Sequence, residues 1–152
     1  MVALLLTQAL APISLLLAQP DKPISKALVV VEMTSLYESL AKVVQGSRKE
    51  SEMDHWQQLA DVVNFLEIIE SEQQLDFPRT FIPGAYAALQ EAWSRPPMDL
   101  HQKKVMGETL DVYASCLKTL SQRAITRAIL TLQKKKDAIH KSGGGSKDDT
   151  II

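Results

Sequence analysis

A single cysteine, Cys116, is all the sequence holds. An internal disulfide and a cysteine-built zinc cluster are thereby excluded, and the chain suits a reducing compartment. Cys116 lies inside an apolar helical pattern with no cationic neighbour, which reads as a small buried hydrophobe rather than a reactive thiol. Glycine and proline are scarce, at 6 and 7 residues, and they are clumped. Gly143, Gly144 and Gly145 stand together, and Pro78, Pro83, Pro96 and Pro97 fall in one short stretch. Long tracts without turn formers favour helices over many short strands. Catalytic signatures are missing as well: there is no GxGxxG, no P-loop, no GxSxG and no CxxC. No cofactor is implied, and no small-molecule substrate is evident.

Basic residues are absent before Lys22. The apolar run from Val2 to Ala18 therefore lacks the basic leader of a secretory signal. It is also short of the roughly 20 apolar residues that span a bilayer, and Thr7, Gln8, Pro12 and Ser14 interrupt it. A small-residue pair at Ala9 and Ala11 resembles a cleavage site, but Pro12 follows it. The favoured reading is a helix buried in the core or against a partner. The expected placement is cytoplasmic, with membrane association or secretion through residues 1–18 as the alternative.

What is present is apolar and asymmetrically charged. Hydrophobic residues make up 45% of 152, enough for one core. The net charge of -1 conceals 7 basic against 13 acidic groups in residues 1–102, and 9 basic against 3 acidic in 103–141. The two halves can attract each other within one fold, or the basic segment can face an acidic partner.

Periodicity predicts the elements. After a turn at Gln19–Pro23, a helix starts near Ser25 and ends at Gly46, with Val29, Met33, Leu36, Leu40 and Val43 on one face. Ser47 with Glu50 has the spacing of a capping box, and Ser51 with Asp54 offers a second register. The stripe that follows is Trp56, Leu59, Val63 and Leu66, widened by Val62 and Ile69. Glu67, Glu70 and Glu72 crowd its exit and oppose the helix dipole, a conflict that basic residues from 103–141 would relieve. Leu75 to Pro83 reads as an ordered connector. Ile82, Tyr86, Leu89 and Trp93 mark the next helix, which Arg95, Pro96 and Pro97 stop.

Asp99 with Gln102 opens the last helical tract. Met106, Leu110, Tyr113, Leu117, Leu120 and Ala124 form a heptad-like seam. Beyond it the apolar direction turns by about 100°, to Ile125, Ile129, Leu132 and Ile139. A continuous helix from 99 to 141 would be about 64 Å long, so the expectation is a bend near Ser121 or packing on something outside the monomer. The fold expected is all-α, an irregular four- or five-helix bundle with a long C-terminal helix. Residues 1–141 form a single helical domain, and 142–152 form a flexible C-terminal tail.

Candidate sites are few. His55, His101 and His140 read as surface residues. Glu52 and His55, and Asp137 and His140, have the spacing of helical metal ligands, but helix-end positions disfavour them and no metal site is assigned. Arg123, Arg127, Lys134 and Lys141, widened by Lys135 and Lys136, form a basic face opposite the apolar face Ile125, Ile129, Leu132 and Ile139. The basic face suits nucleic acid or anionic lipid, although no aromatic residue is interleaved. The terminal Thr150 and Ile152 have the spacing of a PDZ ligand. The expected function is non-catalytic: an adaptor or assembly protein acting through helical surfaces, with a protein partner or a homo-oligomer. The alternatives are an accessory protein that binds nucleic acid or an anionic surface through the basic C-terminal helix, and a helical enzyme with an unrecognised carboxylate/histidine site.

Overall fold

The computed structural model describes residues 23–45 and 53–141, and five α-helices account for nearly all of them. They are α1 (Lys26–Val44), α2 (Met53–Glu72), α3 (Phe81–Ser94), α4 (Leu100–Thr119) and α5 (Gln122–Lys141). The only β pairing among the described residues is an isolated bridge between Pro23 and Ser121. The architecture is the irregular five-helix, all-α bundle that periodicity predicts.

Local chemistry sets the helix ends. The Ser25 hydroxyl accepts from the Leu28 N–H at 3.1 Å and opens α1. At α4 the capping box is complete: Asp99 Oδ1 accepts from Gln102 N at 2.7 Å, and Gln102 Oε1 accepts from Asp99 N at 2.9 Å. The starts expected at Ser47 and Ser51 lie outside the described residues. α2 ends without glycine. Gln74 takes the left-handed conformation (φ 53°), and Leu75 N donates to Glu70 O at 2.9 Å, closing a Schellman turn. Ile82 lies on α3 as its spacing predicts and Pro83 falls in the first turn, where its missing N–H costs least, while Phe81 opens the helix rather than closing the connector.

α2 is the hub. It packs against all four other helices, and 11 of its 20 residues are buried. That explains why its apolar stripe is widened on both sides. The Trp56 ring meets Trp93 of α3 edge-on at 5.2 Å, and Phe65 meets Tyr113 of α4 at 5.3 Å. α1 and α4 also pair directly, as do α3 and α4.

The last helical tract is two helices of about 30 Å each. Leu120 leaves the helix in an extended conformation (φ -88°, ψ 153°), and Ser121 Oγ accepts from Ala124 N at 3.2 Å to start α5. The turn in apolar direction after Ser121 has this cause: α4 buries its seam among α1, α2 and α3, whereas α5 folds back on α2.

Candidate interaction surface

α1 buries Val29, Glu32, Met33, Leu36, Ser39 and Val43 against α2 and α4. Its opposite face stays open. Val30 is 63% exposed, Val31 52% and Tyr37 45%, and Ala27, Thr34 and Ala41 are exposed between them. Other large exposed apolar residues among those described are scattered. Leu100 and Ile139 stand singly on α4 and α5, as is ordinary for a protein surface. The α1 face therefore differs in carrying several exposed apolar residues over successive turns, with exposed Glu38 as the charge that lies between Thr34 and Val31. Sequence reasoning missed it, although the Val29–Val31 triplet marked the helix as apolar on more than one side.

The apolar face expected on the C-terminal helix is mostly internal. Ile125, Ile129 and Leu132 are buried in the chain's own core, and of the four only Ile139 stays exposed. The outward role expected of the other three is revised, because α5 folds back on α2 and supplies the burial that an outside partner was expected to provide.

The basic face is divided for the same reason. Lys136 Nζ reaches the buried Asp61 of α2 at 3.0 Å, and Lys135 lies 3.8 Å from Glu67. Thr131 donates to Glu72 at 2.8 Å, and Glu70 accepts from Phe77 N at 3.0 Å. At the acidic exit of α2 a basic residue thus meets Glu67, while Glu72 accepts from a threonine and Glu70 from a backbone N–H, so the expected relief by basic residues is found in part. Arg127 and Lys134 remain exposed, Arg123 is half-buried, and the Lys141 side chain lies outside the described residues.

Comparison with family models, curated proteins and solved structures matched nothing. Function therefore rests on the chain's own geometry.

Polar groups inside the bundle are engaged structurally. Buried Ser39 donates to Gln58 Oε1 at 2.5 Å and lies 2.9 Å from His55 Nδ1. With its proton on Gln58, Ser39 accepts from the imidazole, which is the wrong direction for a serine activated by histidine as a base. Glu52, the proposed partner of His55, lies outside the described residues, as does the His140 side chain. Among the described residues no cluster of three or more His, Cys, Asp or Glu is placed to hold a metal. A cleft of about 650 Å³ opens where α3 ends and α4 begins. Its buried Gln102 is already engaged with Asp99 and, at 3.3 Å, with Glu91. Cys116 is buried, and burial pushes its thiol up, as a small core residue requires.

Tyr113 and Glu32 form the deepest polar contact, the hydroxyl donating to Glu32 Oε2 at 2.7 Å between α4 and α1. Burial raises the Glu32 pKa above the ordinary carboxylate value, against the opposing effect of the Tyr113 hydrogen bond. A carboxyl raised in the folded state is most stabilising below its unfolded pKa, and that contribution is lost as pH rises through the folded value. Glu32→Gln, which has no titrating carboxyl, is therefore expected to be more stable relative to the parent at neutral pH than in acid. Urea melts of both proteins at pH 4 and pH 7 would show the difference. A stability difference that does not move with pH, or one that favours the variant more at pH 4, would contradict this assignment.

The expected cytoplasmic placement, with membrane association or secretion as its alternative, is corrected. Among the described residues no helix is long and apolar enough to cross a membrane. Even α1 carries Lys26, Glu32, Glu38 and Lys42 along its length. Residues 1–18, on which the alternative rested, lie outside the described residues. So do Thr150 and Ile152 and the whole 142–152 tail.

Proposed function

We propose that this chain is a non-catalytic protein–protein interaction module, an adaptor or assembly protein that acts through a helical surface. The observation that carries this reading is the open face of α1, where Val30, Val31 and Tyr37 stand exposed beside small residues. Contiguous apolar surface on a folded helix is costly in water and gains free energy when covered by another protein. An aromatic ring at its middle suits an interface anchor. The basic face of α5 supports nucleic-acid binding less well, because Lys136 and Lys135 are turned toward α2.

The test is in-cell crosslinking of the full chain beside a Val30→Glu/Val31→Glu variant, read by mass spectrometry. Both positions are exposed, so helicity should be unchanged. Crosslinked partners are expected to be lost from the variant by at least about tenfold, as a buried charge at an interface requires. An unchanged set of crosslinks would remove α1 from the function.

A further inference from the structure

Along its open face α1 carries a second periodicity, separate from the stripe it buries. Ala27, Val30, Thr34, Tyr37, Ala41 and Val44 follow one another at spacings of three, four, three, four and three. That is a heptad seam. Ala27, Thr34 and Ala41 occupy one of its two repeating positions, and Val30, Tyr37 and Val44 occupy the other. Val44 is half-buried and the rest are exposed. Lys26, Glu38 and Lys42 flank the seam and do not enter it.

The sizes alternate in a way that suits one geometry. In an antiparallel pair of identical helices, the first heptad position of one meets the second position of the other. The layers would be Ala27 with Val44 of the second copy, Val30 with Ala41, and Thr34 with Tyr37, each repeated by the twofold axis. Every layer sets a small side chain against a larger one. A parallel pair would set Tyr37 against Tyr37 and Ala41 against Ala41, one layer overfilled and the other empty.

Two further observations bear on the occupant. The Tyr37 hydroxyl donates to Asp111 Oδ1 of α4 at 2.9 Å. The ring is thus held in place before any partner arrives, which lowers the entropy cost of binding. Val30, Val31 and Tyr37 are 63%, 52% and 45% exposed, a single-helix face that, doubled by a twofold axis, lies at the low end of the size range of specific interfaces. That area is enough for a reversible helix pair and too little for a permanent one.

We infer that this face binds a second copy of the chain, the two α1 helices packing antiparallel in a reversible dimer. The inference rests on the reading of α1 as an interaction surface and names its partner. Association with a dissociation constant on the order of 10 µM is expected.

The test uses purified full-length chain. Sedimentation velocity from about 1 to 500 µM should show a monomer passing to a dimer. Val30→Glu should weaken association at least about tenfold while far-ultraviolet circular dichroism stays unchanged. Register is tested by oxidation. Residues 30 and 41 of one chain lie about 16 Å apart along the helix, too far to bridge each other. The double variant Val30→Cys/Ala41→Cys should therefore form a covalent dimer, whereas Val30→Cys alone should not. A monomer at every concentration overturns the inference, and so does efficient crosslinking by Val30→Cys alone, which would mean a parallel pair. If the chain stays monomeric while Val30→Glu/Val31→Glu still strips crosslinked partners in cells, the surface stands and its occupant is a different protein.

Discussion

Replacing Trp56 by alanine is expected to lower the free energy of unfolding by about 3–5 kcal/mol. Trp56 is fully buried on α2, and its ring meets Trp93 of α3 at 5.2 Å with planes 80° apart. The deletion removes the largest side chain of the core and leaves a cavity that rigid neighbours cannot fill, since α2 is held by helices on every side. Edge-to-face stacking adds about 0.5–1.5 kcal/mol beyond burial. Domains of this size are stable by only about 5–15 kcal/mol in total, so the variant should be close to its threshold. Urea denaturation followed by circular dichroism would measure it. Trp56→Phe should cost less than half as much, because most of the volume is kept. A loss below about 1 kcal/mol for the alanine variant would mean that the site collapses freely, contrary to the packing described.

The second large effect is expected at Asp61. Its carboxylate is buried on α2 and accepts from Gln57 Nε2 at 3.0 Å and from Lys136 Nζ at 3.0 and 3.3 Å. Lys136→Ala would leave a buried charge with one neutral donor, at a cost of about 2–4 kcal/mol. The Lys136 side chain is itself 29% exposed, so the lower half of that range applies. Asp61→Asn should cost less, because the ammonium can turn into water. The double variant Asp61→Asn/Lys136→Met should recover much of the loss. The coupling energy from the double-mutant cycle is expected to be about 1–3 kcal/mol. A coupling under about 0.5 kcal/mol would show that the pair is incidental to the α2–α5 contact, and would return Lys136 to the basic face as a residue available for binding.

Much of the bundle was legible in the chain because helix formation is a local matter. The seam of Met106, Leu110, Tyr113 and Leu117 is buried as its spacing predicts, and the Asp99 capping box forms as its residues require. Local reasoning began α3 a residue late, and although it put the exit of α2 near Glu72 it had no signal for the turn that closes it. There Gln74 adopts the left-handed turn that glycine usually takes, so composition does not announce it. The open α1 face was missed for a different reason. A helix with two apolar faces looks, in one dimension, like a helix buried on both.

That the chain is helical, where its apolar stripes lie, and that the stripe after Ser121 points away from the one before it could all be read from residue order alone. These follow from backbone hydrogen bonding and a 3.6-residue repeat, which neighbouring residues settle among themselves. What each stripe faces was set by the packing of the helices on one another. It placed Ile125, Ile129 and Leu132 inside the core, turned Lys136 toward Asp61, and left Val30, Val31 and Tyr37 outside. Which surfaces remain open depends on how four helices share one central helix, a many-body packing outcome that no local pattern contains.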